Sequence, residues 1–464
     1  MSSDLLPETE EASKADFLEE QIAIDFLAEY DAAADNDKYP LVQKWMKTTP
    51  LPFFKQLREQ RPILVTPECT LVALFTDVRD VLQMPSIFTI DLYKPKMGVT
   101  DTDPGYLMAH DEDALHYREK SIMQAMLNRD DIPRVRQLIQ DSAKDILDKA
   151  NGSIEIVNNY CRMVPAIMVQ EYFGLNGIDK KKLLKWSFWN QYNTFHNQPF
   201  DLNSKERFDE IVAAHAQCST ELVDYMKVLM VRKLLTVKIK DRLFAGGLKV
   251  LNLLRTIVAK KPIVLKDDIV KRMLRSSFSA QVDFPLTRIG TNAGGLLIGA
   301  VETTSQAVAQ VIQFFIDRPE LLAQAKAAAA KSDTREIDGM VWEALRYVPI
   351  SPYMFRQASQ DYTVGKGTDR ETTIAKGTNV LTLTQSAMFD TYAYDNPDVF
   401  NADRNWYHNF NYGFGSHDCL GKYIGMAMIP EMVRQVVLRT DIQASSAMDY
   451  NKGPFPETYT LSWK

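Results

Sequence analysis

The sequence predicts a mainly α fold with a small β region, arranged as one large domain. Helical spacing of apolar residues dominates the middle of the chain, whereas short β-branched runs between glycines or prolines occur near the amino terminus and beyond Arg356. The 464 residues contain 45% hydrophobic and 25% charged residues, an ordinary globular composition. Because no long polar linker and no internal repeat interrupts them, we expect one large core rather than several small domains.

The individual elements follow from local patterns. We predict helices where apolar residues recur at three- and four-residue intervals, and strands where short β-branched runs lie between turn residues. The predicted strands cover residues 63–65, 71–75, 362–364, 372–374 and 379–383, and the predicted helices cover 132–149, 164–173, 205–233, 267–278 and 422–439.

Charge is distributed unevenly along the chain. Residues 1–37 contain twelve Asp and Glu residues and one base, Lys14. We interpret this stretch as an acidic N-terminal extension preceding a domain over residues 38–464. The net charge of −6 and the pI near 5.7 argue against a nucleic-acid-binding protein.

The chain has no sequence feature of a secreted or membrane-spanning protein. Its start lacks a basic region followed by an apolar one, and no stretch approaches ~18 consecutive apolar residues. The four cysteines are scattered without a C-x-x-C pair, so neither a zinc ribbon nor a disulfide framework is predicted. We expect a soluble cytoplasmic protein without a transmembrane anchor, in which Cys69, Cys161 and Cys218 are buried small side chains.

The fourth cysteine, Cys419, lies in a glycine-rich loop before a predicted helix. Gly413, Gly415 and Gly421 surround it, which lets the backbone turn tightly and approach a flat ligand closely. Backbone N–H groups at the start of a helix lower the pKa of a nearby thiol, and a thiolate can bind a metal. Taken alone, such a loop is more often only structural.

A second unusual feature is one acid in a long apolar segment. Glu302 is the only charged residue among the 28 residues from 289 to 316. A buried carboxylate is costly, so Glu302 requires a partner, a raised pKa or access to water. The alternative is an amphipathic helix on which Glu302 faces solvent.

The segment from residue 412 to 421 resembles the haem-binding signature of the cytochrome P450 family. Tyr412, Gly415, His417, Cys419 and Gly421 stand at the offsets where that signature has an aromatic residue, a glycine, a basic residue, the cysteine and another glycine. The resemblance implies a single triangular, mainly α haem-enclosing domain. It also implies haem b with Cys419 as the proximal thiolate ligand to iron, Gly415 and Gly421 in the haem-binding loop, and His417 facing a propionate.

Two positions of the signature depart from the family pattern. Tyr412 stands where phenylalanine is usual, and Ile424-Gly425-Met426 replaces the common Leu-Ala-Arg. We expect these differences to alter the redox potential rather than the ligation.

Further family motifs follow in the expected order. Glu343 and Arg346 match the Glu-x-x-Arg pair, and Arg404 stands where the family completes a buried ion network. Three remaining matches imply propionate contacts: Arg356, His116 and Lys120, the last replacing an arginine. Arg356 and His116 could equally be ordinary surface residues.

The segment from Gly299 to Thr304 resembles the P450 helix over the distal haem face. The resemblance implies that Glu302 and Thr303 deliver protons during activation of O2 by a monooxygenase acting on a small organic substrate. No flavin or iron–sulfur motif is present, so electrons are expected from a ferredoxin and its reductase. The alternatives are an H2O2-driven peroxygenase or another haem-thiolate oxidation, and a non-enzymatic haem-binding sensor.

Residues 226–261 contain ten bases and one acid, Asp241, with apolar residues interleaved. Two functional interpretations stay open, namely a lid that admits an acidic or carrier-bound substrate and a contact with an anionic membrane surface. The third interpretation is a solvated helical face.

Overall fold

The chain folds mainly into α-helices. The computed structural model describes residues 24–241, 247, 251–255, 257, 267–276 and 280–464. The helices are α1 (Phe26–Ala32), α2 (Asp35–Thr48), α3 (Pro50–Gln60), α4 (Phe75–Gln83), α5 (Ala114–Met126), α6 (Ile132–Lys149), α7 (Met163–Met168), α8 (Lys180–His196), α9 (Lys205–Leu235), α10 (Ile269–Arg275), α11 (Leu286–Ala300), α12 (Glu302–Ile316), α13 (Pro319–Ala329), α14 (Arg335–Tyr347), α15 (Thr384–Ala387) and α16 (Lys422–Val437).

The strands are short and form three small sheets. They are β1 (Ile63–Val65), β2 (Thr70–Val72), β3 (Phe88–Thr89), β4 (Ser153–Glu155), β5 (Met354–Ala358), β6 (Tyr362–Val364), β7 (Thr372–Ile374), β8 (Asn379–Thr382), β9 (Gln443–Ala444) and β10 (Thr460–Ser462). The largest sheet has the order β1-β2-β8-β5-β3, in which β2 and β8 are parallel, with Leu71 opposite Leu381, and the other pairs are antiparallel. The orders of the others are β4-β10-β9 and β6-β7.

The largest hydrophobic cluster lies among the helices. The apolar segment that contains α11 and α12 runs through it, and α16 packs against α6, α12, α13 and α14. The helix that follows the Cys419 loop is therefore in direct contact with the helix that begins at Glu302. This packing fixes the two sequence features of interest relative to each other.

Most predicted elements are confirmed, and two differ. Phe75, predicted to end a strand, instead begins α4, and its backbone N–H donates to Asp390 Oδ2 at 2.8 Å. The helix predicted over residues 164–173 is α-helical only to Met168 and continues as a π-helix to Phe173. It ends at Gly174, whose φ of 92° favours glycine.

Part of the predicted acidic extension, residues 1–37, belongs to the folded body. Residues 1–23 lie outside the described residues. From residue 26 onward the chain forms α1 and the start of α2, in which Phe26, Leu27 and Tyr30 are buried in a cluster with Trp45 and Phe53. Apolar burial therefore holds this end of the segment against the amino-terminal sheet despite its acidic composition.

The structure also describes the cysteines and the apolar character of the helices. Cys69, Cys161 and Cys218 are buried, as predicted, and none of the four cysteines forms a disulfide. Among the residues that the structure describes, no helix combines the length and apolar character needed to cross a bilayer.

Candidate active site

The long apolar helical segment breaks at Val301, between α11 and α12. Val301 has φ −89° and ψ −65°, and the Thr303 hydroxyl donates to the Gly299 carbonyl at 2.7 Å. A side-chain hydroxyl that bonds the carbonyl four residues earlier bends a helix, which accounts for the break. Gly299 is exposed and Thr303 is partly exposed, whereas Thr304 is buried. The break thus presents a small residue and a hydroxyl on one open side of the helix.

Glu302, by contrast, is buried, with 1% of its surface exposed. Its Oε2 accepts a hydrogen bond from Arg162 Nε at 3.0 Å, whereas Oε1 has no partner. Arg162 also contacts Glu457, at 3.2 Å. Burial raises the pKa of Glu302 although the Arg162 charge opposes this. The expectation of a partner and a raised pKa is confirmed, and the solvent-facing alternative is wrong.

Glu302 lies at a cavity of about 460 Å³. Its lining combines charged and polar side chains with four aromatic ones, which are Phe188, Trp189 and Tyr192 from α8 and Tyr450 from the carboxyl-terminal loop. The Arg162, Glu302 and Glu457 side chains lie together in the lining. Glu302 therefore borders this cavity, while its Oε1 atom is itself buried and has no hydrogen-bond partner.

The Cys419 loop is tied by its backbone and shaped by two glycines. The Cys419 N–H donates to the Tyr412 carbonyl at 2.7 Å. Gly413 and Gly415 have φ of 75° and 71°, and a side chain at Gly415 would crowd the Leu82 carbonyl at 3.1 Å. Gly421 has an ordinary φ of −84° and a Cβ there would only touch the Cys419 sulfur, at 3.9 Å. The turn thus requires two of the three glycines.

The Cys419 side chain is accessible, but the protein surrounds its sulfur on most sides. Burial raises the pKa of this thiol, and the nearby Asp418 carboxylate adds to the rise. The Gly421 N–H and the charges of Lys120 and Lys422 act in the opposite direction but do not compensate. The pKa lowering expected from the helix start is therefore wrong for the protein alone, and a cation at the sulfur would be needed to favour the thiolate.

The side chains predicted to contact propionates do converge next to this loop. The His116 and His417 rings lie 5.2 Å apart, and His417 Nε2 is 3.2 Å from Asp111 Oδ1. Lys120 donates to Asp418 Oδ1 at 2.6 Å, and His116 Nε2 lies 3.1 Å from the Ser416 carbonyl oxygen. Lys120 and His116 therefore bind the Cys419 loop itself.

Arg356 completes this cluster from β5. It is buried, its Nη1 donates to the Phe355 carbonyl at 2.8 Å, and its Nε has no partner. Burial lowers the pKa of Arg356, and burial together with the Arg356 charge lowers the pKa of His417 although its contact with Asp111 opposes this. An incompletely bonded, buried guanidinium is a strong site for a carboxylate, because its geometry matches two oxygens. The cluster fits a group that carries carboxylates.

The Glu-x-x-Arg pair forms a buried ion network, as the motif predicts. Glu343 accepts hydrogen bonds from Arg346 at 2.7 and 2.9 Å, from Arg404 at 2.8 Å and from the Asn401 N–H at 3.0 Å. Arg346 also donates to the Met388 carbonyl, and Arg404 to three backbone carbonyls between residues 395 and 399. This network joins α14 to the segment that leads into the Cys419 loop.

Comparison with known proteins identifies the family of the chain. The family model described as Cytochrome P450 matches residues 105–449 of the chain. The chain belongs to the cytochrome P450 family. It is 22% identical over 438 residues to pulcherriminic acid synthase of Bacillus subtilis, covering 90% of this chain and 96% of that protein.

Other P450 proteins agree in sequence and in structure. Cytochrome P450 109 of Bacillus spizizenii is 21% identical over 376 residues, which is 80% of each chain. The open cytochrome P450 Eryk from S. erythraea superposes with a TM-score of 0.69 at 18% identity, covering 90% of this chain and 96% of that one. These likenesses confirm the predicted mainly α P450 fold. As a P450 the chain is a haem-thiolate monooxygenase, an oxidoreductase whose cofactor is haem b.

Sequence reasoning missed two buried ion pairs of the site. One is Arg162 with Glu302. In the other, Arg288 bonds Glu119 with two hydrogen bonds of 2.6 Å, and Asn292 adds a third of 2.7 Å. These partners lie 140 and 169 residues apart in the chain, so no local spacing signals them. The only sequence signal is an isolated charge beside an apolar segment.

Tyr106 was also not predicted from the sequence to lie near the site. Its ring rests directly on Gly295 of α11, where any side chain would overlap it. Burial raises the pKa of Tyr106, and so does the nearby Cys419. This phenol therefore lies between α11 and the cysteine loop.

The unusual Tyr412 and Gly425 explain each other. The Tyr412 hydroxyl is buried without a partner, and a methyl group at Gly425 would overlap it. We expect Gly425→Ala to lower the free energy of unfolding by about 1–3 kcal/mol, because it overpacks this contact. In the Tyr412→Phe background the cost falls, because the hydroxyl is absent. Urea unfolding of the unchanged protein, the two single variants and the double variant, each loaded with haem, measures the coupling between the two positions. An equal loss of unfolding free energy on Gly425→Ala in both backgrounds would contradict this contact.

Proposed function

We propose that this P450 activates O2 with electrons from a ferredoxin and its reductase, and that it hydroxylates or otherwise oxidises a small organic substrate. The observation that carries this proposal is the pairing of two adjacent residues at the break in the distal helix. Thr303 presents its hydroxyl on the open side, and the buried Glu302 next to it borders a cavity. A protein that only bound haem would have no need of such a pair.

We assign haem binding to the cluster around the cysteine loop. Cys419 would ligate the iron, and Arg356, with its unbonded Nε, would bind a propionate beside His417. Gly415 would let the loop approach the macrocycle, with Gly421 next to the sulfur. Haem with a thiolate ligand supplies the electron-rich iron at which O2 is reduced.

His116 and Lys120 have a different proposed role. Both bond the Ser416–Asp418 segment, so they hold the cysteine loop in position, and Lys120 places its positive charge near the Cys419 sulfur. For His116 or Lys120 to contact a propionate, the residue would have to give up its hydrogen bond to Ser416 or Asp418.

Proton delivery is assigned to Glu302 and Thr303. Glu302 borders the cavity, has a pKa raised by burial and has an Oε1 without a hydrogen-bond partner, so it can bind a proton closer to neutral pH than an ordinary carboxylate. The bond from Arg162 holds the other oxygen and orients the group. The Thr303 hydroxyl, anchored on the Gly299 carbonyl, would pass a proton on the open side of the helix.

The test removes this hydroxyl while keeping the side-chain shape. After a ligand is found by its shift of the haem absorption, we expect Thr303→Val to lower product formed per O2 consumed by about tenfold or more, with the lost electrons appearing as H2O2. The matched control is Thr304→Val, whose hydroxyl is buried on the other side of the same turn. Unchanged coupling in Thr303→Val, or equal turnover with H2O2 and no electron donor, would contradict the proposal and indicate a peroxygenase.

A further inference from the structure

The end of α9 and the residues after it expose an unusual amount of aliphatic surface. Nine large aliphatic side chains are more than half exposed among the described residues, and seven of these lie between residues 228 and 257. We call the seven the basic–apolar surface; they are Val228, Val231, Leu235, Ile239, Leu253, Leu254 and Ile257. Val228 is 67% exposed and Ile257 is 73% exposed. Such a concentration marks an interaction site rather than the usual scatter of apolar residues.

The α9 part of this surface is a stripe on one side of the helix. At about 100° per residue, Val228, Val231 and Leu235 fall within roughly 60° of one another. Leu229 and Met230, which point elsewhere, are buried in the main core. The exposed stripe is therefore not a consequence of a poorly packed helix, because its inner face is fully covered.

Positive charge accompanies the stripe. Between residues 226 and 261 the sequence has ten bases and one acid. Lys238 is exposed, Lys227 is exposed and forms an ion pair of 3.1 Å with Asp224, and Arg232 donates to the Asn176 side chain at 3.0 Å near the surface. Lys233 is the exception, because it is buried in an ion pair of 2.7 Å with Asp268 that anchors the end of α9.

We propose that the basic–apolar surface docks on an anionic lipid membrane, with the aliphatic side chains inserted among the headgroups and the lysines on lipid phosphates. Bases beside an apolar stripe are the pattern of helices that lie in a membrane interface. A second copy of this chain fits less well, because a symmetric contact would bring the exposed Arg232 and Lys238 of both copies together. Docking would be peripheral, consistent with the absence of a bilayer-spanning helix among the described residues.

The first test measures flotation of the haem-loaded protein with vesicles. We expect it to float with an equal mixture of phosphatidylcholine and phosphatidylglycerol, to float little with phosphatidylcholine alone, and to be released at ~1 M salt. Lys227→Glu with Lys238→Glu is expected to lower partition onto the anionic vesicles by about tenfold or more, since each base contributes near the surface.

The second test separates insertion from charge. Val228→Glu with Leu235→Glu is expected to lower partition by about tenfold or more, since it removes buried apolar area. The matched control is Val212→Glu with Val223→Glu, which changes two exposed residues on a different side of α9, since Val223 lies about 140° around the helix from Val228.

Several results would overturn the proposal. One is no flotation of the unchanged protein. Another is equal flotation of the Val228→Glu/Leu235→Glu variant and its Val212→Glu/Val223→Glu control. A third is a dimer in solution that only Val228→Glu with Leu235→Glu disrupts. The last result would assign the surface to a second copy. Flotation requires no turnover, so its failure is separate from failure of the proposed monooxygenase reaction.

Discussion

Cys419→Ser is expected to abolish the red-shifted absorption band of the reduced, CO-bound protein and to reduce monooxygenase turnover to background. A serine hydroxyl is a far weaker donor to iron than a thiolate, and the electron donation that drives O–O cleavage is lost with it. The loop itself should survive, because its backbone is fixed by the Cys419 N–H to Tyr412 carbonyl bond and by the turns at Gly413 and Gly415. The absorption spectrum and the haem content of the purified variant measure the effect.

The control for this change is Cys218→Ser. Cys218 is buried, and its sulfur is 3.9 Å from the Lys185 carbonyl, a contact that a serine can replace. This variant should keep the band of the unchanged protein. Persistence of the red-shifted band in Cys419→Ser would show that another group ligates the iron and would refute the assignment of Cys419.

Glu343→Ala is expected to lower the free energy of unfolding by about 3–5 kcal/mol, the cost of leaving buried charges without their counter-ion. The substitution removes the acceptor of Arg346 and Arg404 at once, and Arg346 has only 1% of its surface exposed. Because the network supports the segment before the Cys419 loop, haem retention should fall as well. Urea unfolding followed by circular dichroism measures the first effect, and the ratio of haem to protein measures the second.

The control here is Glu336→Ala on the same helix. Glu336 pairs with Lys331 on the surface, with about half of each side chain exposed. Exposed pairs of this kind contribute only about 0–1 kcal/mol. Similar losses of stability in Glu336→Ala and Glu343→Ala would show that the motif pair is an ordinary surface contact.

The sequence was sufficient wherever the chemistry is carried by neighbours in the chain. The cysteine loop, the Glu343 and Arg346 pair and the isolated Glu302 are all local patterns, and the structure shows each of them ordered as its spacing suggested. The ion pair of Glu343 with Arg404 was implied by the family pattern and is present in the structure.

What could not be predicted depends on distant residues. Arg162 has no feature that distinguishes it from other arginines until the fold brings it to Glu302. The pKa of Cys419 is raised rather than lowered, because burial, which residue spacing does not reveal, outweighs the effect of the helix start. The π-helical stretch after α7 was hidden for a related reason, since its apolar residues fit an α-helical period well enough to be predicted as part of one helix.

The parallel pairing of β2 with β8 constrains the order in which this protein can fold during translation. β2 ends at Val72, and its neighbour in the sheet, β8, begins at Asn379. The amino-terminal segment also bonds residues near 390, through Phe75 to Asp390. During translation, β1 and β2 therefore cannot complete their sheet until β8, more than 300 residues later, has been synthesised. Such distant contacts are slow to form, which leaves this end of the protein exposed to chaperones and to aggregation during translation.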